Sequence, residues 1–556
     1  MKNNLFRSVL TIAIISVSFL SVNGQTYDYY NNLAKQEFEN KNYQKAIEYC
    51  NQSINLQANG WAYWERAAAK ANLKNYTGSA EDYTLALNYY SGVDKASIYY
   101  SRGYNYIDLR EYQKAIEDFN QALSYNYDKP GDLYWERGVA YDKLGLFQKA
   151  IDDYTNAISR MSSQKDLSVL YNKRGYARVK LGKLDEAITD LNQSIQYDAS
   201  NGTAFWNRSL YWEKKFEYQK AIDDVSKAID IYKTRDNAKT DLAILHRNRG
   251  YYKYLLGNYQ PALADQELAQ TYNPSYSSLY WDKGLIYESL EQYDRAVENY
   301  TNAINLEEDK TDQATLYRNR SLSFRNLLQY GTALEDINKA IALNPEYRDA
   351  YRNRAVLYEY KKQYADAIKD YSKAIELFAG NNYTLADIYM DRGWVKARLN
   401  AQEAVGDFKK AIELDGENDD VHYEVGRFFK TKIKNNSLAE IHLDKASSLA
   451  LRYNDDTYAL SKSVQGKKEV AVTFMEQQLE KESTDKYRHK WNLHVMACIY
   501  ALNGDSNKAL EFVEKSFASG YKDYDHLVND RDLESLVVLP QYKALLVKYK
   551  VPQPKW

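Results

Sequence analysis

The side chains able to do chemistry in this 556-residue sequence fall into three groups. The first holds the six histidines, His246, His422, His442, His489, His494 and His526, which are scattered along the chain. His489 and His494 stand five apart, a spacing that does not share one helical face. There is no glycine-rich phosphate loop, zinc-ligand pair or serine elbow. The acidic stretches EEDKTD and KDYDHLVND lack the glycine and terminal glutamate of a calcium loop. Two cysteines in so long a chain exclude a disulfide scaffold and a multi-cysteine zinc site; Cys50 and Cys498 read as small core residues. The sequence therefore predicts no catalytic residue, no metal and no cofactor. The second group is a series of arginines, each followed by an aspartate at a fixed distance, of which Arg102 and Asp118, Arg137 and Asp153, and Arg174 and Asp190 are examples. The third is a regular set of tryptophans, Trp64, Trp135, Trp206 and Trp281, among 55 tyrosines.

The frame that must position these groups is helical and extended. A chain with 27% charged and 44% hydrophobic residues folds in water, but it exceeds the roughly 250–300 residues at which a single core stops growing. Only 7 prolines predict long uninterrupted helices. With 74 basic against 76 acidic side chains the net charge is −2, without the basic excess of a nucleic-acid binder. Residues 1–24 read as a signal peptide: Lys2 and Arg7 precede an apolar run from Ser8 to Leu20, and Val22 and Gly24 are small. The run is shorter than the roughly 20 residues of a membrane span, so no stable membrane insertion is expected once the signal is removed. No cysteine lies near the cleavage point to carry a lipid anchor. The expectation is an exported protein, periplasmic or extracellular.

Aligning the chain on itself gives a repeat. YYSRGYNYIDLREYQKAIEDFNQAL from Tyr99, YWERGVAYDKLGLFQKAIDDYTNAI from Tyr134 and YWDKGLIYESLEQYDRAVENYTNAI from Tyr280 are three copies. The pattern resembles the tetratricopeptide-repeat family, whose 34-residue unit is two helices. In the family's order the small eighth residue is here Gly103, Gly138, Gly175 and Gly284, and the alanine at the twentieth is Ala115, Ala150, Ala187 and Ala296. The resemblance implies an all-α, right-handed superhelical solenoid of tandem helix-turn-helix repeats. About twelve repeats span 25–455, and 456–556 form a degenerate C-terminal helical cap. Small residues mark helix crossings, because helices approach within about 8–10 Å only where contact side chains are small.

Two regularities come from comparing the repeats with each other. Arginine precedes the small residue in nine repeats, and aspartate follows sixteen places later, or fifteen in the repeat with Arg392 and Asp407. Where the arginine becomes Lys283 the aspartate becomes Asn299. This covariation predicts an ion pair between the two helices of each repeat, since a partly buried arginine needs a carboxylate; a basic ladder for an anionic ligand is the other use. The spacing between repeats also alternates. Longer connections, such as 91–95, 159–165, 233–242, 307–312 and 379–385, fall after every second repeat, so the true period is a pair.

In the resembled family the fifth, ninth and twelfth residues of the first helix face the groove. The fifth positions here include Trp64, Tyr100, Trp135, Trp206, Arg247, Trp281, Arg318 and Arg352, of the types that dominate interface energies. Arg247, Arg318, Arg325 and Arg352 crowd the later half and favour an acidic segment there. The pairs that would clamp a carboxylate terminus in the chaperone-binding type read instead as Trp64 with Ala68 and Trp135 with Val139. The expected function is a non-catalytic scaffold holding a protein or peptide partner. Carbohydrate binding, with sugars stacked on the aromatic ladder, is the alternative, so a glycan remains a possible ligand.

Overall fold

The computed structural model describes residues 27–453, 455–483 and 485–556, and the expected signal peptide, 1–24, lies outside the described residues. Helix follows helix throughout. Among the described residues there is no β-strand, only an isolated bridge between Gln329 and Lys555. The chain divides into two compact units, Met1–Leu256 and Gly257–Trp556. Each is a stack of helix hairpins, the all-α repeat architecture expected from the sequence. The first unit pairs residues 27–39 with Tyr43–Leu56, Gly60–Asn72 with Tyr76–Ala86, Gly92–Asp108 with Tyr112–Ser124, Pro130–Lys143 with Phe147–Ile158, Gln164–Lys180 with Leu184–Tyr197, and Gly202–Lys214 with Tyr218–Tyr232, and it ends with Lys239–Leu255.

The second unit opens with Tyr259–Tyr272. It then pairs Ser277–Ser289 with Tyr293–Leu306, Lys310–Asn326 with Tyr330–Leu343, Arg348–Tyr360 with Tyr364–Glu376, Asn382–Leu399 with Ala401–Leu414, and Asp419–Phe428 with Asn436–Tyr453. Residues 457–481, where the repeat pattern fades, still form a hairpin, Thr457–Val464 with Lys468–Lys481. Lys486–Leu502 and Ser506–Ala518 follow, then the short helices Tyr524–Asn529, Glu534–Val537 and Pro540–Lys548.

The turn inside most hairpins is one device. The first helix closes on a residue in the left-handed region, such as Lys74 (φ 61°), Gly145 (φ 72°), Phe216 (φ 58°) or Lys362 (φ 60°). The next amide then returns to the helix, as Asn75 N donates to Lys70 O at 2.9 Å, which satisfies carbonyls the helix end leaves open. In the hairpin that lacks one loop residue, Asn400 ends one helix and caps the next, accepting from Gln402 N. The alternating spacing has a structural counterpart. First helices after a long connection, Gly92–Asp108, Gln164–Lys180, Lys239–Leu255 and Lys310–Asn326, have 17 residues, whereas Gly60–Asn72, Gly202–Lys214, Ser277–Ser289 and Arg348–Tyr360 have 13. The additional residues wind one more turn onto the start of every second hairpin.

The small-residue seam lies in the core. Ala115, Ala150, Ala187, Ala296, Ala333 and Ala367 are fully buried, as are Ala122, Ala157 and Ala303 seven places after their partners. The eighth position is small because a large side chain of the second helix lies flat against it. A Cβ added at Gly138 would meet the Tyr154 ring at 2.8 Å, and one at Gly103 would meet Phe119 at 2.8 Å.

The arginines bind the stack together. In eight repeats Nε and Nη2 donate to the two carboxylate oxygens of the aspartate on the second helix, at 2.6–2.9 Å; Arg102 with Asp118, Arg137 with Asp153, and Arg174 with Asp190 are among them. The remaining nitrogen, Nη1, reaches the preceding hairpin: Arg102 to Thr84, Arg137 to Asn120, Arg208 to Asn192, Arg354 to Asn338 and Arg392 to Ser372. Each of these guanidiniums also lies over the aromatic ring three residues earlier, at 5.2–5.5 Å. Where lysine replaces arginine, Lys283 donates back to Gln270 and Asn299 donates to its own helix at Arg295 O.

Four substitutions test this account by denaturant unfolding. Gly138→Ala is expected to cost about 1–3 kcal/mol through overpacking against Tyr154. Gly145→Ala, whose new Cβ meets nothing within 4 Å, is expected to cost about 1–2 kcal/mol for left-handed backbone alone. Asp153→Ala leaves a largely buried guanidinium without its carboxylate and is expected to lose about 3–5 kcal/mol. Asn120→Ala, which removes the outer bond of the same arginine, is expected to lose only about 0.5–1.5 kcal/mol. A loss below about 0.5 kcal/mol for Asp153→Ala would put the pair in the surface class and contradict the buried fork.

Candidate functional site

The fifth-position side chains Trp64, Tyr100, Trp135, Trp206, Arg247, Trp281, Arg318 and Arg352 sit half-buried on their first helices. In the first unit, Trp64 meets Tyr90 edge-on at 5.3 Å, and Tyr100 stacks on Tyr127 at 4.6 Å. Trp135 packs against the cluster of Tyr154, Ala157 and Leu170, Trp206 is half-buried, and the Arg247 guanidinium lies over Tyr251. In the second unit Trp281 is half-buried. Arg318 donates from Nη1 to Asn319, and Arg352 forms an ion pair with Asp391 at 2.8 Å. Trp64, Tyr100 and Trp135 therefore spend part of each ring on packing, and the three arginines engage neighbouring side chains.

Around Trp135 the first unit gathers acid. Burial pushes the Glu136 carboxyl up to about 7, against the pull of Lys173 and with help from Asp132 and Asp108. Burial also raises Asp142, whose Oδ1 is buried without a hydrogen-bond partner, and lowers Lys173. Tyr100 is pushed up by the same burial and by Glu136. Glu136 and Asp142 thus share Lys173, Asp132 and Asp108 add negative charge near Glu136, and Lys143 and Lys180 add positive charge near Asp142.

In the second unit the acidic segment that the arginines favour comes from the chain itself. Asp525 Oδ2 lies 3.0 Å from Arg325 Nε, and the carboxylate accepts from the hydroxyls of Tyr330 and Tyr360. Asp532 pairs with Arg427 at 2.7 Å and accepts from Tyr423. Arg531 pairs with Glu359, Glu534 with Arg398, and Lys490 with Glu291. The last residues add backbone bonds: Lys555 N donates to Leu328 O, and Gly331 N to Lys555 O. Trp556 packs on Tyr330 at 5.0 Å. Counted from the small residues Ser321, Ala355 and Gly426, Arg325 and Glu359 are twelfth positions, Tyr423 a fifth and Arg427 a ninth. Arg318 and Arg352 line a cavity of about 670 Å³ together with Asp523 and Asp525.

The reading of the histidines as scattered is corrected. His422 and His442 face each other with Nδ1 atoms 3.0 Å apart; burial lowers both, His442 to about 4. His494 and His526 both reach Asp530 Oδ2, at 2.8 and 3.3 Å, and Cys498 Sγ lies 3.5 Å from the same oxygen. Burial alone would raise Asp530; the two imidazoles outweigh it and hold the carboxyl well below the usual range. The sequence signal is two pairs at helical spacing, His494 with Cys498 and His526 with Asp530, each four apart and so on one face. Both cysteines are buried and free, and burial pushes the Cys498 thiol up.

Tetratricopeptide-repeat models match residues 100–165 and 172–236, 277–310, and 349–381. No match is found among curated protein sequences. Solved structures with a similar fold include the APC/C hetero-tetramer Cut9-Hcn1, at 15% identity, with 79% of this chain and 96% of that one covered and a TM-score of 0.37. A tetratricopeptide repeat protein from Parabacteroides merdae is 17% identical, over 48% of this chain and 98% of its own, with a TM-score of 0.40. YrrB, described as a TPR protein with an unusual peptide-binding site, is 24% identical over 35% of this chain and 93% of its own, with a TM-score of 0.29. The matched segments, with the small-residue seam and the hairpin stack that run through them, are tetratricopeptide repeats.

Proposed function

We propose that this protein is a non-catalytic scaffold, exported from the cytoplasm, that holds a protein or peptide segment along the first helices of its first unit. The observation that carries the reading lies in the second unit. There the fifth, ninth and twelfth positions of several first helices, with Tyr360 at a thirteenth, already hold a short segment, Asp523–Glu534, through ion pairs and tyrosine hydroxyls. That is the recognition chemistry a partner would use. The first unit presents carboxyl groups instead: Glu136, next to Trp135, and Asp132 act on Tyr100, with Asp108 near Glu136 and Lys173 shared by Glu136 and Asp142. A segment presenting lysine or arginine among apolar side chains fits it: the cations meet the carboxylates and the apolar groups cover the rings. The basic, apolar and small-residue order of 1–24 supports export.

Two measurements test this. Tryptophan fluorescence of the mature protein, titrated with lysine- and arginine-rich peptides, is expected to saturate and to weaken with added salt. Binding is expected to fall as the pH drops through about 7, because a cation needs Glu136 ionised and Glu136 takes its proton there. Glu136→Gln should remove that pH dependence, and Trp135→Ala should weaken binding by about tenfold or more. A response to neutral oligosaccharides with none to basic peptides overturns the reading in favour of sugar binding. The intact mass of the protein made with its leader is expected to begin at Gln25; a chain retaining 1–24 contradicts export by cleavage.

A further inference from the structure

We infer that His494, Cys498 and Asp530, with His526 beside them, form a binding site for a divalent transition metal of the zinc class, and that the metal fastens the C-terminal segment to the helix Lys486–Leu502 within the second unit. The ligand atoms of the first three lie within 4.8 Å of one another. Cys498 Sγ is 3.7 Å from His494 Nε2 and 3.5 Å from Asp530 Oδ2, and His526 Nε2 is 3.3 Å from that oxygen. A tetrahedral ion with nitrogen and oxygen at about 2.0 Å and sulfur at about 2.3 Å sets ligand atoms about 3.3–3.5 Å apart, so these separations are already close to the edges of its coordination shell. The one short separation, 2.8 Å between His494 Nε2 and Asp530 Oδ2, is a hydrogen bond that an ion between them would replace.

The same residue types could instead suggest a cysteine nucleophile with its base, but the geometry rejects that use. A relay places the nucleophile on one imidazole nitrogen and the carboxylate on the other. Here both Cys498 and Asp530 approach Nε2 of His494, while its Nδ1 is buried without a hydrogen-bond partner. The groups converge on a point, which is how ligands are arranged. The point adjoins a cavity of about 430 Å³ lined also by Glu359, Arg427 and Trp491, which leaves room for an ion and a water. A mixed nitrogen, sulfur and oxygen set favours zinc and its neighbours over magnesium or calcium, which take oxygen ligands.

The origin of the ligands gives the site its role. His494 and Cys498 lie on Lys486–Leu502, whereas His526 and Asp530 belong to the segment that holds Arg325, Tyr360 and Arg427. An ion would tie the two together.

The test uses the full mature chain, without an affinity tag, after chelator treatment. Titration with Co²⁺ is expected to show one equivalent bound, with a thiolate-to-cobalt charge-transfer band and the visible bands of tetrahedral cobalt, displaced by Zn²⁺. The chain has only two cysteines, so the band should persist in Cys50→Ala and vanish in Cys498→Ala. Asp530→Asn should weaken Co²⁺ binding by at least tenfold, and saturating Zn²⁺ should raise the melting temperature of the wild type by linkage. Absence of a thiolate band in the wild-type chain overturns the proposal, as does a band that survives Cys498→Ala. Should Cys498→Ala fail to fold by circular dichroism, the wild-type and Cys50→Ala spectra decide the question alone.

Discussion

The arginine fork is the contact on which each stack depends. A hairpin repeat cannot bury its own apolar face and gains a core only by stacking, so something must fix the angle between its two helices and the step to the next repeat. One guanidinium does both. Two of its nitrogens hold the second helix of the same hairpin, as Arg137 holds Asp153, and the third holds the second helix of the hairpin before it, at Asn120. The planar group also rests on the ring of Tyr134. Arginine suits this place and lysine does not, because only a rigid fork matches two carboxylate oxygens and keeps a donor in reserve. At Lys283 the pattern shows what is lost: the ammonium turns back to Gln270, and Asn299 turns to its own helix.

Periodic features of the fold were legible in the sequence because every copy restates them. The alanines and glycines mark where helices cross, and the fixed separation of Arg102 and Asp118 reflects the path down one helix and up the next. A further trace was present in the same lines. The acceptor for the third nitrogen stands two residues after the aspartate, so Asp118 with Asn120, Asp153 with Thr155 and Asp190 with Asn192 carry the stacking contact in a short motif. The lengthened connections were visible too, but only the structure assigns their residues to an additional helical turn.

What remained illegible is aperiodic. Asp525 reaches Tyr330 across 195 positions, and no repeat announces it. The short helices after Ser506–Ala518 follow no repeat, and they are held by one another, as Tyr542 holds Leu527 O, and by earlier hairpins, as Asp525 is held by Arg325. The histidines show the same limitation. His494 lies on Lys486–Leu502 and Asp530 just past the end of Tyr524–Asn529, and only folding reveals that both line one cavity. Sequence could place His494 on a helical face; it could not bring the end of Tyr524–Asn529 opposite it.

The alternation in first-helix length has a consequence for anything that approaches the edge of a stack. Four additional residues advance a helix by about 6 Å, so every second hairpin projects beyond its neighbours and the rim is notched like a key. A rod that is itself periodic could slide along a uniform rim and settle at any step. Along a notched one it finds equivalent seats only at alternate steps, which halves the ways it can be mis-set.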